Sequence, residues 1–331
     1  MKAVIGLGYD LRSEALAAGL SPEAAAEFDS GETVDAIEAA LRANDYGVER
    51  IGNGRALCRR LAAGDCWDMV FNIAEGYGGR CREAHVPSLL EMFAVPYTFS
   101  DPLVCALTLD KEMAKKVVRS SGLHTPDSLV VWTLSDIDAH RLGYPLFAKP
   151  LAEGTGKGID GKSRIDGKSE LKAVCASLLV RFRQPVLVEE YLPGREFTTS
   201  ILGTGDASRV LGTLEVLLRP DAPEGYYSFL IKEECEKYVD YKLMTDDFLR
   251  PAVEELALAS YRVLGCRDAG RVDIRLDAQG RPAFMEVNPL PGLHPSHSDL
   301  PMTATACGMG YDELIGAIVH SAMERKDGHG W

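Results

Sequence analysis

The residue types best suited to chemistry in this 331-residue chain lie in Arg271-Val-Asp-Ile-Arg-Leu-Asp-Ala-Gln-Gly-Arg-Pro-Ala-Phe-Met-Glu-Val-Asn288, followed by Pro-Leu-Pro-Gly292. The runs 270–276 and 282–287 alternate with period two around an Asp-Ala-Gln-Gly turn, which predicts a β-hairpin. Alternate residues of a strand share a face, so Arg271 points with Asp273, and Glu286 with Asn288. In-register pairing would gather two carboxylates, an amide oxygen and a guanidinium in one small volume. Asp, Glu and Asn are hard oxygen ligands suited to Mg²⁺, which favours sites completed by water and phosphate oxygens. An ordinary solvated hairpin also carries surface charge. The shared polar face, with Val272 and Val287 on the other side, favours a site.

Other stretches carry chemistry of lower specificity. Glu153-Gly-Thr155-Gly156-Lys157-Gly158 follows a strand that ends at Lys149-Pro150. Its glycines permit backbone N–H groups to approach phosphates, although glycines of a structural turn look the same. It is not a Walker loop, because no Gly-Lys-Ser/Thr opens a helix. Val186-Leu-Val-Glu189-Glu190-Tyr-Leu192-Pro-Gly-Arg-Glu196 runs a buried strand into paired carboxylates that face opposite ways. Only one of that pair needs to be solvated. Asn72-Ile-Ala-Glu75-Gly-Tyr-Gly-Gly-Arg80-Cys-Arg82-Glu83-Ala-His85 is dense in glycine and in both signs of charge. It could be a flexible surface loop, but its place after a strand of a parallel sheet favours substrate binding.

The elements that must position these residues follow from hydrophobic period and caps. Strands are expected over 2–7, 48–51 and 69–73, with helices over 34–44 (opened by Ser30-Gly-Glu-Thr33) and 55–63. This β-α-β-α-β order predicts a parallel sheet with helices on its faces. A helix at 86–93 and a short strand at 95–98 follow. A helix starts at Asp110-Lys111 and ends near Gly122, and Thr125-Pro-Asp127 marks a turn at a domain boundary. Strands at 146–150, 186–190, 197–202 and 209–218 then alternate with a helix at 169–182. The stretch 226–232 alternates in part, 247–264 is a long amphipathic helix before the hairpin, and 311–323 is the closing helix ahead of a frayed tail.

Length allows two or three domains. The formal net charge of −13 disfavours nucleic acid or anionic membrane as partners. The start of the chain is too quickly polar for a signal peptide, and no apolar run reaches spanning length, so a cytoplasmic protein is expected. Eight scattered cysteines without a Cys-x-x-Cys pair predict reduced thiols. His294-Pro-Ser-His297 lacks helical spacing, which favours loop structure or substrate contact over metal ligation.

Motif order and spacing over residues 95–325 resemble the ATP-grasp superfamily, and within it the D-alanine–D-alanine ligases. The likeness runs through Pro96-Tyr-Thr, Leu109-Asp-Lys111, Phe147-Ala-Lys149-Pro, the 153–158 loop, Val188-Glu-Glu-Tyr-Leu-Pro-Gly-Arg-Glu196-Phe-Thr, Arg271-Val-Asp273 and Glu286-Val-Asn288-Pro-Leu-Pro-Gly292. It implies an α/β chain, α+β in its C-terminal half. An N-terminal doubly wound domain (1–109) would precede a central subdomain (110–188) and a C-terminal subdomain carrying the Mg²⁺ site (189–331).

The same likeness implies ATP and Mg²⁺, with two ions expected and Mn²⁺ an acceptable substitute. Lys111, Lys149 and Lys232 resemble phosphate-binding lysines. Glu189 resembles the adenine-amino acceptor beside Glu190, Leu192 an adenine contact and Glu196 the ribose binder. Asp273, Glu286 and Asn288 resemble the metal ligands, and Arg271 the stabiliser of a tetrahedral oxyanion. Thr155 and Gly156 stand where the family has a Ser-Ser pair in its covering loop. Phosphoryl transfer needs positioning and charge neutralisation, and no protein nucleophile. The implied activity is carboxylate–amine ligation of small amino-acid or amine substrates through an acyl phosphate. The competing class is an ATP-binding regulatory protein of the same fold, which the intact Arg271 disfavours. A homodimer is compatible with either.

Departures from the family fall on the substrate side. Its His-Gly segment is here Ala74-Glu75-Gly76, and its Lys-Tyr pair is Lys232-Glu233. The N-terminal acid that holds the first amine is replaced by a longer stretch in which Glu14, Glu27 and Asp29 are all candidates. The loop after Gly292 carries an insertion that includes Ser298. Glu75, His85, Glu233 and Ser298 are therefore the expected substrate-side residues. The added negative charge predicts a substrate other than plain D-alanine, with an extra positive or hydrogen-bond-donating group, unless Glu75 and Glu233 are solvated and another residue fills the gap.

Overall fold

The computed structural model describes residues 2–223, 230–231 and 234–327. Its strands form three sheets. The first joins β1 (Val4–Gly8), β2 (Gly47–Gly52) and β3 (Met69–Asn72) in parallel, in the order β2-β1-β3. The two crossovers run through the Gly31–Ala43 helix, which Ser30 caps by accepting from the Thr33 N–H, and the Gly54–Ala62 helix, capped in the same way by Asn53. Both faces are covered, as a parallel sheet requires. One face packs Ile5, Leu7 and Phe71 against Val34, Ile37 and Leu41, and the C-terminal helix Tyr311–Asp327 completes that core through Leu314, Ile315 and Ile318. The other face packs Val70 against Leu57, Leu61, Val86 and Leu90. The expected strand at 95–98 is reduced to a single bridge between Val70 and Tyr97.

The second sheet is antiparallel, in the order β4 (Ser128–Val131), β7 (Val186–Glu190), β5 (Leu146–Pro150) and β6 (Arg164–Ile165). The Lys168–Phe182 helix closes one face with Leu171, Cys175 and Leu178. The third sheet has five antiparallel strands, in the order β10 (Val239–Leu243), β9 (Arg209–Leu218), β8 (Glu196–Leu202), β11 (Ala269–Leu276) and β12 (Pro282–Asn288). Its apolar face packs Phe197, Val272, Ile274, Phe284 and Val287 on Val253, Ala257 and Tyr261 of the Arg250–Val263 helix.

The β11–β12 hairpin has the expected register: Arg271 pairs with Asn288, Val272 with Val287 and Asp273 with Glu286. The ladder shifts after Asp273, where Ile274 pairs with Phe284. This bulge adds Met285 to β12 and lets the hairpin twist while both ends keep their inward faces. Val272 and Val287 are buried on the far side, so the polar face is fixed by the apolar one. Most of the expected stretch 226–232 lies outside the described residues; Leu230 and Ile231 are helical. Elements that the sequence reading did not place include helices Arg12–Ala17, Pro102–Leu109 and Asp299–Ala306 and strands β4, β6 and β10. No helix is long and apolar enough to cross a membrane among the described residues. All eight cysteines are unpaired.

Candidate active site

Two cavities meet along the polar face of the hairpin. The first lies between the second and third sheets and is lined by Lys111, Lys149, Glu189, Glu190, Leu192, Glu196, Asp273 and Glu286, with Gly156 of the glycine-rich loop at its edge. The second is lined by Arg271, Asn288, Glu75, Thr155 and Ser298. Nearly all the expected residues among those described are thus brought to one cleft from six separate segments. His85 is not: it is exposed on the first turn of the His85–Met92 helix and lines neither cavity. Glu83, two residues earlier, faces the second cavity instead. Lys232 and Glu233 lie outside the described residues.

The lysines of the first cavity are held by carboxylates. Lys149, the penultimate residue of β5, places Nζ 2.9 Å from Glu189 Oε1. Lys115 donates to the other oxygen of Glu189. Burial alone would raise the Glu189 carboxyl, but Lys115 and Lys149 overturn that and hold it at about 2. Lys149 is likewise opposed by burial but kept charged by Glu189 and Glu286. Lys111 opens the Lys111–Ser120 helix, which Asp110 caps through the Met113 N–H. Its Nζ donates to the Glu153 carbonyl at 2.5 Å and lies 3.4 Å from Glu286 Oε2. Glu190 faces solvent, as one of the pair was expected to, and its Oε2 accepts from the Asp127 N–H. Glu196 lies 3.4 Å from Arg275, and Tyr191 stacks on Phe147 at the same end of the cavity.

Arg271 is half-buried among oxygen atoms. It donates to Asp299 and lies 3.4 Å from Asp273 Oδ2. The Asn288 amide is oriented with its oxygen toward Arg271, where it accepts from Nε at 3.1 Å; the opposite orientation would set donor against donor. Burial weakens the guanidinium charge, and Asp273, Asp299 and Glu286 restore it and raise the pKa further. The donor set on this face, two carboxylates and an amide oxygen at paired positions, is what a hard divalent cation takes. No group of three or more His, Cys, Asp or Glu is gathered to hold a metal among the described residues. An ion here would therefore be completed by ligand and water oxygens.

The glycine-rich loop is tied to the N-terminal region through Glu27. This carboxylate accepts from the Gly154 N–H at 2.6 Å, from Arg82 at 3.1 Å, and lies 2.9 Å from Lys157 Nζ. A Cβ on Gly154 would meet Glu27 Oε1 at 2.8 Å, so a side chain there would have to displace the carboxylate. Burial opposes ionisation of Glu27, but Arg82 and Lys157 prevail and lower its pKa.

Lys115, Asp299 and Glu83 were not singled out from the sequence. Lys115 carried a usable signal, since it lies one helical turn from Lys111 on the same face. Glu83 lay within the charged loop read as substrate-binding but was not distinguished there from its neighbours, and Asp299 carried no signal.

A cleft between two antiparallel sheets, roofed by a glycine-rich loop and floored by an acidic hairpin, defines an ATP-grasp protein. Residues 131–320 match the family model described as D-ala D-ala ligase C-terminus. The D-alanine–D-alanine ligase of Bordetella petrii is 37% identical over 273 residues, covering 81% of this chain and 79% of that protein. That of Alcanivorax borkumensis is 32% identical over 320 residues, covering 96% and 95%. A crystal structure of the Bacillus anthracis ligase superposes with a TM-score of 0.76 at 24% identity, covering 100% of both chains, which shows the fold. The chain belongs to the D-alanine–D-alanine ligase family and is an ATP-dependent ligase.

Proposed function

We propose that this ligase joins two amino acids, or an amino acid and an amine, after ATP converts the first carboxylate to an acyl phosphate. A free carboxylate cannot expel hydroxide; phosphate is the better leaving group once an amine attacks. Lys111 and Lys149, with Lys232, bind and orient the nucleotide phosphates. Glu189 receives the adenine amino group: each carboxylate oxygen has a second lone pair beyond the one Lys115 or Lys149 uses. Leu192 flanks the base and Glu196 binds the ribose. Asp273, Glu286 and Asn288 would hold Mg²⁺, which supplies neutralisation of phosphate charge. Thr155 and Gly156 close over the reacting groups and exclude water.

The observation that carries this reading is the position of Arg271. Its half-buried guanidinium lies on the same hairpin face as Asp273 and Glu286 but lines the neighbouring cavity. A carboxylate lying there would be within reach of the phosphate site on one side and of an attacking amine on the other. Arg271 then stabilises the oxyanion of the tetrahedral intermediate; ATP binding alone needs no such group. For the chain's organisation we adopt three units, with junctions after 109 and after 188. Unpaired cysteines fit a reducing compartment, and we place the enzyme in the cytoplasm.

ADP release with MgATP, measured against D- and L-amino acids alone and in pairs with mass detection of products, tests the reading. A product equal to two substrates less water supports it. ATP binding without ADP or a condensed product under any pair overturns it.

A further inference from the structure

We propose that a third cavity, behind the glycine-rich loop, binds a small aromatic anion that acts as an effector and tightens the hold of the loop on ATP. This goes beyond the ligation reaction and depends on neither of its substrates.

The cavity has a volume of about 620 Å³, within the range of small-molecule sites. One wall comes from the N-terminal segment 20–28 and from Tyr77; the other comes from Trp132 and residues 181–185 of the central subdomain. The walls are joined at two points. Arg181 donates to both oxygens of Glu23 at 2.7 Å, and Glu27 accepts from the Gly154 N–H. Glu153 and Lys157 line both this cavity and the first, and Glu27 lines both this cavity and the second. A ligand here therefore touches the residues that hold the loop while leaving the other two cavities open.

The chemistry of that ligand follows from which groups are already used. Five cationic and three acidic side chains line the cavity, in a chain whose formal net charge is −13. All three acids are paired: Glu23 with Arg181, Glu27 with Arg82 and Lys157, and Glu153 with Lys157 and Gln184. What is left over donates. The Arg183 guanidinium and the Trp132 indole N–H make no hydrogen bond or ion pair among the described residues. Unused donors without unused acids select an anion. Aromatic surface lies uncovered in the same cavity: Trp132 is 61% exposed and Tyr77 38%, although Tyr77 packs on Phe28 with ring centroids 4.7 Å apart. A flat ring can pack on that surface while its phosphate or carboxylate meets Arg183. By touching both walls it favours the arrangement in which Glu27 holds Gly154 and the loop covers the first cavity.

The test is calorimetric titration of phenyl phosphate and of phenylacetate into the full chain, with and without a non-hydrolysable ATP analogue. Inorganic phosphate and acetate are the controls without a ring. At least one aromatic anion is expected to bind saturably, about tenfold or more tightly than its ringless control. The analogue is expected to tighten that binding about fivefold or more, and the anion to tighten binding of the analogue by the same factor. Arg183→Ala and Trp132→Ala are each expected to weaken the anion about tenfold or more, with affinity for the analogue alone unchanged. Both residues are exposed, and thermal melting checks that the variants fold; if one does not, the other decides. Binding of phenyl phosphate alone, or of phenylacetate alone, supports the site and fixes its headgroup. Saturable binding of neither, or binding that the folded variants leave intact, overturns the site. Binding that the analogue abolishes places the anion in the nucleotide cavity and overturns it too. Equal affinity with and without the analogue overturns the effector role. No turnover is measured, so failure of the ligase reading would show separately, as absence of condensed product.

Discussion

Lys115 and Glu189 form an ion pair from which water is excluded: Lys115 is 0% exposed and Glu189 4%. The pair joins the Lys111–Ser120 helix to β7, and Lys149 from β5 approaches the same carboxylate. Removing one member of a buried pair leaves the other uncompensated, which costs about 3–5 kcal/mol. Lys149 still pairs with Glu189 in Lys115→Met, so this variant is expected to be destabilised in urea unfolding, but by less than that amount. The pH dependence follows from the lowered folded-state pKa of Glu189, about 2. Its contribution is complete above the unfolded value of about 4.3 and is lost as pH falls toward 2. Wild type should lose stability across that window, and Lys115→Met should lose less, because only Lys149 still holds the carboxylate down. Equal acid slopes in the two proteins would show that Glu189 is not held down by Lys115.

Asp273→Asn and Glu286→Gln are each expected to abolish Mg²⁺-dependent ADP release while melting remains cooperative. Each exchange keeps shape and removes one charge from the hairpin face. Glu286→Gln also frees Lys111 of its carboxylate neighbour, 3.4 Å away. Residual nucleotide affinity without turnover is therefore expected in that variant. Wild-type turnover with wild-type Mg²⁺ dependence in either variant removes that residue from the metal shell.

Lys149→Ala and Lys111→Ala are expected to weaken binding of a non-hydrolysable ATP analogue by about tenfold or more, with a smaller effect on amino-acid binding. Lys149→Ala leaves Glu189 with Lys115, as Lys115→Met leaves it with Lys149, so neither variant strands the carboxylate. Calorimetric titration of the analogue checks both; unchanged affinity in both variants would sink the nucleotide assignment of this cavity.

The hairpin was the most legible part of the site because β-strand periodicity is local: Arg271, Asp273, Glu286 and Asn288 share a face by spacing alone, and the observed register agrees. The parallel sheet was legible for the same reason, since its strands are short apolar runs between capped helices. The Pro102–Leu109 helix carried a readable start, Asp101 as cap and Pro102 in the first turn, but its uniformly apolar sequence hid the helical period. What spacing could not give was tertiary pairing. That Glu27 ties down the glycine-rich loop 127 residues later, or that Glu83 and not His85 turns inward, depends on how separate units pack. The β12 bulge that places Met285 beside the first cavity was hidden too, because alternation in sequence does not show where a ladder slips.

Asp299 holds Arg271 from the first turn of the Asp299–Ala306 helix, in the loop-borne insertion that follows Gly292. Arg271 stays charged whatever its neighbours do, so Asp299 matters for where the guanidinium points. Asp273 and Asn288 alone would hold it from the hairpin side and leave it free to swing along that face. Misplacing a transition-state donor by an ångström costs about a hundredfold in rate. Asp299→Asn is accordingly expected to lower kcat by about tenfold to a hundredfold, with KM for ATP unchanged and melting little altered. Asp299→Glu, which keeps the charge, should recover part of the loss. A purely structural role would instead lower the melting temperature and leave kcat of the folded fraction at the wild-type value. That outcome would detach Asp299 from the positioning of Arg271.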